Sequence, residues 1–304
     1  MTGGRESAAE ADRAAADDLA ADLATDTDAA DGAPEGAPPR SLIVTVFGLY
    51  VREFGGWVGV GTLIRLLEPL GVDAQAVRSA VSRLKRRGIL VAEKRGTTAG
   101  YALSDVAREI LALGDRRIFS PPPETGEEWV MVVFSVPESE RKNRHALRTR
   151  LSGMGFGNVT SGVWIAPVHL AEDCRLVLAR AGLDSYADVF TGGSLLSGEA
   201  ADRVGQWWNL DELASSYERF VARVEPLVDR WRAADPSADP AGAFADYVRV
   251  LTAWRRLPYR DPGLPASLLP DPWPGAAARD LFGSIRELLE KPAHAYVDEA
   301  PAPR

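Results

Sequence analysis

A single cysteine, Cys174, in 304 residues leaves no partner for an internal disulfide. That excludes a small disulfide-framed secreted scaffold and is compatible with a reducing cytosol. Histidine is nearly as scarce: His145, His169 and His294 are scattered, with no spacing that would assemble a metal site. No segment holds the uninterrupted apolar length that a membrane helix needs. The first 40 residues are too acidic for a signal or transit peptide. A soluble, cytoplasmic protein with no metal and no cofactor is therefore expected. The chain also has no Gly-x-Ser-x-Gly elbow and no defensible Ser/His/Asp arrangement, so it reads as something other than an enzyme.

Positive charge is short overall: 35 Lys and Arg stand against 43 Asp and Glu, for a formal net charge of −8. Its distribution is uneven. Residues 1–40 carry three basic and ten acidic side chains, whereas residues 41–120 carry twelve basic and seven acidic. Local charge sets phosphate affinity more than the total does, so the second segment is suited to nucleic acid despite the acidic whole.

The stretch from Asp73 to Arg95 carries most of that positive charge and a helical pattern. At 3.6 residues per turn Val77, Ala80, Val81 and Leu84 share one small apolar side. Gln75, Ser79, Ser82 and Arg86 collect on the opposite side, flanked by Arg78 and Arg83. Asp73 is placed to cap the helix and Gly88 to stop it. Ile89–Lys94 then reads as a strand, Arg95–Gly100 as a polar turn and Tyr101–Leu103 as the returning strand, with Lys94 and Arg95 at the turn. A groove-sized helix followed by a basic hairpin is the layout of a winged helix-turn-helix. The competing reading, a merely solvated basic helix face, accounts for the helix but not for the hairpin and the helices upstream.

With 46% hydrophobic residues the chain can bury two or three cores. Residues 1–40, mostly Ala, Asp, Glu, Gly and Pro, are expected to be a disordered acidic tail. Residues 41–118 form the DNA-binding module: a helix bearing Leu42, Ile43, Val46, Phe47 and Tyr50, a break at Gly55, Gly56 and Trp57, a second helix over Val60–Leu70, the basic helix, the hairpin, and a last helix from Ser104 to Leu113. After the prolines at Pro121–Pro123, residues 126–193 alternate strand, helix, strand, helix and strand, the order of a small ferredoxin-like α/β unit. Within it Leu170, Cys174 and Leu178 share a helix face, so Cys174 reads as a core residue rather than a nucleophile. Residues 199–291 hold three helical stripes, the first running from Leu213 to Trp231 across Pro226. The second holds Phe244, Tyr247, Val248, Leu251 and Trp254, and the third Leu281, Phe282, Ile285, Leu288 and Leu289. Residues 292–304 are expected to be a flexible tail. The fold class is α+β and multidomain: N-terminal winged helix-turn-helix, central ferredoxin-like domain, C-terminal helical domain.

Several stretches together resemble the PaaX family of bacterial repressors of phenylacetate catabolism. They are SLIVTVFGLYV, then GGWVGVGTLIRLLEPLGVDAQAVRSAVSRLKRRGIL, and, from Trp254 to Phe282, WRRLPYRDPGLPASLLPDPWPGAAARDLF. The resemblance spans roughly residues 41–289. It implies a homodimeric transcriptional repressor that binds a palindromic double-stranded operator and is released by an acyl-coenzyme A thioester such as phenylacetyl-coenzyme A. Carried onto this chain, the recognition helix is Ala74–Arg87. Its candidate DNA contacts are Gln75, Arg78, Ser79, Ser82, Arg83 and Arg86, with Lys94 and Arg95 on the wing. Arg can read guanine and Gln adenine, while Ser more often fixes phosphates.

The middle unit, through VVFSVPESERKNRHALRTRLSGMGFGNVTSGVWIAP, is also similar to the small nuclease fold of CRISPR adaptation. Ser135 stands where those nucleases place a metal-binding Asp, and a hydroxyl alone does not replace a carboxylate for a hard cation. A dimerisation or signal-relay role is therefore expected of this unit. Glu138 and Glu140 read as favourable charges at a helix start. For the effector, the residue types that would suit phosphates and an acyl group are Arg203, Trp207, Trp208, Trp254, Arg255 and Arg256, although packed tryptophans and surface arginines are the simpler account of each. Two other functions stand beside the ligand-released repressor: a winged-helix regulator controlled by a different ligand or protein partner, and, more distantly, a metal-dependent nuclease using the middle unit.

Overall fold

The structure is a computed structural model that describes residues 37–123, 128–193 and 200–300. The expected tail thus lies almost wholly outside the described residues. Its last residues do not conform: helix α1 (Pro39–Val46) starts on a proline, whose fixed φ suits a first helical position. The chain continues as a π-helical segment over Phe47–Val51.

The described residues form two compact units, one from 37–116, 219–255 and 276–300, the other from 117–218 and 256–275. The first unit opens with α1, a short strand β1 (Trp57–Gly59), α2 (Val60–Leu67) and a 3₁₀ turn over Glu68–Leu70 that brings in Pro69. Then come α3 (Ala74–Arg86), a hairpin of β2 (Leu90–Arg95) and β3 (Thr98–Leu103), and α4 (Asp105–Phe119). Leu63, Leu66, Leu67 and Leu70 are buried, as their spacing requires.

The C-terminal helices α8 (Leu210–Ala233), α9 (Pro240–Trp254) and α11 (Pro274–Glu299) supply the remainder of this unit from Arg219 to Arg255 and from Ala276 onward, the short α10 (Leu257–Arg260) belonging to the other unit. Residues 199–291, read from sequence as one helical domain, are thus shared between the two units. The reason is that α9 is apolar on nearly every side: Phe244, Tyr247, Val248, Val250, Leu251 and Trp254 are all buried. A helix apolar all round needs neighbours on several faces, and α1 is one of them. The Thr45 and Thr252 hydroxyls lie 2.7 Å apart, and Tyr50 and Phe244 rings sit 5.5 Å apart. Helix α11 does not stop near Leu289 but runs through Pro292 to Glu299, burying Ala293 and Val297. Residues 301–304 of the expected flexible tail lie outside the described residues.

In the second unit β4 (Trp129–Phe134), α5 (Arg141–Gly153), β5 (Gly157–Thr160), β6 (Val163–Pro167), α6 (Ala171–Ala181) and β7 (Ala187–Thr191) build a four-stranded sheet of order β5-β6-β4-β7. All neighbouring strands are antiparallel, which is the split β-α-β-β-α-β arrangement. Alternation along β4 divides the sheet's two faces. Val130, Val132 and Phe134 pack with Leu147 and Leu151 of α5 and Cys174 and Leu178 of α6. On the other face Trp129 meets Trp207 and Trp208 at ring distances of 6.2 Å, while Met131, Val133 and Phe190 stay exposed. Trp207 ends α7 (Ala200–Trp207).

Cys174 is fully buried, and burial pushes its thiol up to about 12. Because the thiolate is the reactive form, native protein at pH 8 is expected to be inert to a thiol-specific chromogenic reagent and to react fully once unfolded. Rapid modification of the native chain would contradict the core placement.

Candidate nucleic-acid interface

Helix α3 begins where Asp73 accepts a hydrogen bond from the Ala76 amide at 2.8 Å, which satisfies one of the free N-terminal donors. It ends in a Schellman motif. The Gly88 amide donates to Lys85 and the Ile89 amide to Leu84, both at 3.0 Å, with Gly88 at φ 70° and Ile89 buried behind it. These two ends fix the register, so Val77, Ala80, Val81 and Leu84 go inward against α1. Gln75, Arg78, Ser79, Ser82, Arg83 and Arg86 are all exposed. Arg83 bends back over the Ser79 carbonyl at 3.5 Å. Arg78 and Arg86 make no ion pair or hydrogen bond among the described residues.

Lys85 is not among the residues that the helical pattern singles out, yet it is exposed on the flank that Arg78 occupies, seven residues on. The spacing alone could have found it. Cations in the last turn of a helix also stabilise its negative end, so Arg83, Lys85 and Arg86 have a stabilising role beside any contact with phosphate.

The hairpin is tighter than its sequence indicates. Strands β2 and β3 pair from Leu90↔Leu103 to Arg95↔Thr98, which leaves only Gly96 and Thr97 as the loop. Gly96 at φ 57° permits a two-residue turn, so the expected turn over Arg95–Gly100 contracts to its first half. Lys94 and Arg95 are both exposed. They differ in freedom. Lys94 has no partner among the described residues, whereas Arg95 pairs with Glu93 at 2.8 Å and lies 5.1 Å from the centre of the Trp57 ring.

Trp57, read from sequence as part of a chain break, is a structural support for this hairpin. Strand β1 adds to β3 through Trp57↔Ala102, and the Trp57 indole donates to the Glu93 carbonyl at 3.1 Å. Its ring lies where a Cβ on Gly100 would sit, 2.3 Å away. A glycine inside a strand signals such close approach, so Gly100 was the available clue.

The six effector candidates do not form one surface. Trp254 is 0% exposed, stacked on Phe282 at 4.9 Å, and Arg255 is 3% exposed with its guanidinium 3.4 Å from the Ser41 carbonyl. Both belong to the first unit, whereas Arg203, Trp207, Trp208 and Arg256 belong to the second. There Trp208 is also core, donating to the Gly155 carbonyl at 2.8 Å. Beside Trp207 and Trp208 lies an open depression of about 410 Å³ that also includes Asn209 and Asp211. Its walls suit an apolar group, and the charge they carry is acidic. Arg203 is exposed one turn before Trp207 on α7.

Ser135 follows β4 directly, with its amide donating to the Tyr186 carbonyl at 3.0 Å. Glu138 is taken by Arg144 at 3.1 Å, and Glu140 by Tyr186 and Asn143. Among the described residues no three His, Cys, Asp or Glu side chains are grouped to hold a metal ion. No described helix is long and apolar enough to cross a membrane.

Three protein-family models match the chain in series: PaaX-like protein over residues 38–107, PaaX protein central Cas2-like domain over 122–204, and PaaX-like protein C-terminal domain over 208–299. The chain belongs to the PaaX family. It is 29% identical over 266 residues to the transcriptional repressor PaaX of Escherichia coli (strain K12), an alignment covering 85% of this chain and 83% of that one. Among solved structures it is similar to the uncharacterized protein Rv0674 from Mycobacterium tuberculosis. There the identity is 26% and the TM-score 0.50, over 84% of this chain and 97% of the other. The PaaX-like N-terminal match contains the whole of α3 and the hairpin, so both lie in the part of the chain that the family shares.

Proposed function

We propose that this PaaX-family protein is a sequence-specific DNA-binding transcriptional repressor whose residues 41–118 act as a winged helix-turn-helix. Helix α3 enters a major groove, and the β2–β3 hairpin touches the adjoining backbone. The observation that carries this reading is the outward row of Gln75, Arg78, Ser79, Ser82, Arg83 and Arg86 on a helix whose two ends and inner face are fixed by caps and packing. Such a row offers guanidinium and amide groups to base edges and hydroxyls to phosphates. The repressor acts as a homodimer on a palindromic operator. The exposed Met131, Val133 and Phe190 of the middle unit provide an apolar face for the second copy.

Release comes from an aryl- or acyl-coenzyme A thioester of the phenylacetyl type. The depression beside Trp207 and Trp208, with Arg203 one helical turn before Trp207, offers apolar walls to the acyl end.

The test begins with a duplex selected from a random library by the protein itself. Titration above the dissociation constant should give two protomers per duplex, and phenylacetyl-coenzyme A should lower the affinity while phenylacetate does not. The same thioester should raise the melting temperature of the DNA-free protein by mass action, by an amount that grows with its concentration. Selection that enriches no sequence would sink the repressor reading. Enrichment without any response to the thioester would leave DNA binding in place and remove the effector.

A further inference from the structure

Helix α5 of the second unit carries Arg141, Lys142, Arg144, Arg148 and Arg150 within thirteen residues and no acidic side chain. The unit around it is acidic overall, with eleven Lys and Arg against sixteen Asp and Glu over residues 117–218 and 256–275. The cluster is therefore a local departure from its surroundings, and two of its members have internal duties. Arg144 binds the Val136 carbonyl at 2.8 Å and Glu138 at 3.1 Å, and an Arg150 amino group reaches the Ala146 carbonyl at 3.2 Å. Arg141, Lys142 and Arg148 have none: they are exposed and make no ion pair or hydrogen bond among the described residues.

Their arrangement is regular. Arg141, His145 and Arg148 recur at i, i+4 and i+7 on one side, Lys142 lies about 100° round the helix from Arg141 at the edge of that side, and Leu147 and Leu151 face the core. From Arg141 to Arg148 the rise along the axis is about 10 Å, the length of roughly three base-pair steps. Folding stability does not explain the first two. Arg141 and Lys142 stand in the first turn, where the positive end of the helix dipole disfavours cations. The acids that could compensate are already engaged, Glu138 by Arg144 and Glu140 by Tyr186 and Asn143.

We propose that Arg141, Lys142 and Arg148 form a second phosphate-binding ridge, which takes the backbone of duplex DNA independently of α3 and the hairpin. The partner is a polyanion of regular spacing, because three exposed cations without an internal partner, carried along a rigid helix, can each neutralise a backbone phosphate. The ridge rests on the repressor reading only for the identity of that polyanion. The acidic residues 1–40 are the alternative occupant, and they make the opposite prediction: freeing the ridge from such a tail leaves DNA affinity unchanged or raises it.

The experiment measures affinity of the full chain for a long random-sequence duplex as a function of salt. The comparison is between the parent, the triple variant Arg141→Gln, Lys142→Gln, Arg148→Gln, and the control Arg175→Gln, Arg180→Gln in the same unit. The triple variant should flatten the log–log salt slope by about 2–3, near 0.9 for each phosphate that is no longer neutralised. The control should keep the parent slope, as should Arg141→Lys with Arg148→Lys, which retains the charges. An unchanged slope or tighter binding in the triple variant overturns the ridge. Preference for a selected duplex over a random one is read separately: the triple variant should leave that ratio intact. A parent with no preference but a slope that falls in the triple variant refutes the repressor reading and keeps the ridge. A parent with preference and a slope indifferent to the triple variant does the reverse.

Discussion

Replacing Arg83 and Arg86 together by alanine is expected to weaken binding to a selected operator by roughly a hundredfold or more. Each bidentate guanidinium contact to a base is worth about 1–3 kcal/mol of discrimination, and about 1.4 kcal/mol is a factor of ten. Both side chains are exposed on α3, so the change leaves the buried row of Val77, Ala80, Val81 and Leu84 untouched. Some stability is lost as well, since a cation in the last turn contributes about 0.3–1 kcal/mol. A thermal melt separates the two effects: a small shift in melting temperature with a large loss of operator preference is the expected pattern. Operator affinity equal to that of the parent would remove α3 as the reading element. Lys94→Ala should instead weaken selected and random duplexes alike and reduce the salt slope by about 1.

The contrast between Lys94 and Arg95 follows from Trp57. Arg95 is held between the indole face and Glu93, so part of its charge is already answered inside the protein. Its guanidinium remains exposed while paired with these groups, so a phosphate contact, if the proposed DNA binding holds, would cost less ordering entropy there. Lys94 is exposed and has no side-chain partner among the described residues. The hairpin therefore carries one cation held by internal partners and one without a partner among the described residues.

Helix α3 was readable from sequence because its signals are local. Asp73, Gly88 and a 3.6-residue apolar period lie within sixteen residues, and each acts through the backbone nearest to it. The ferredoxin-like order of the middle segment was legible for the same reason, through alternation and turn residues. Long-range packing was not. That α9 lies against α1 depends on contacts such as Thr45 with Thr252, 207 residues apart, for which the sequence offers only a helix that is apolar on too many sides. Trp57 was hidden in a glycine-rich break because strand β1 is three residues long and exists only by pairing with β3. The effector candidates were gathered by residue type alone, and residue type does not distinguish a ligand-facing tryptophan from one in the core.

Trp254 decides that last distinction by a measurement with a large expected effect. It is fully buried, stacked on Phe282 at 4.9 Å and 13°, tilted against Phe220 at 5.4 Å, and covered by the Arg279 guanidinium at 5.7 Å. Trp254→Ala therefore opens a cavity that these partners, held on other helices, cannot collapse. Losses for such truncations run to about 3–5 kcal/mol. For a unit of this size that lowers the melting temperature by about 6–20 °C. Because α9 and α1 share one core, DNA affinity should fall only in step with the unfolded fraction, and at temperatures well below the transition the salt slope should match the parent's. A ligand-contacting tryptophan gives the opposite pair of results: a melting temperature within about 2 °C of the parent, as for most surface changes, and no remaining response to the thioester. That second outcome would return Trp254 to the effector site and require the surrounding aromatic stack to open in solution.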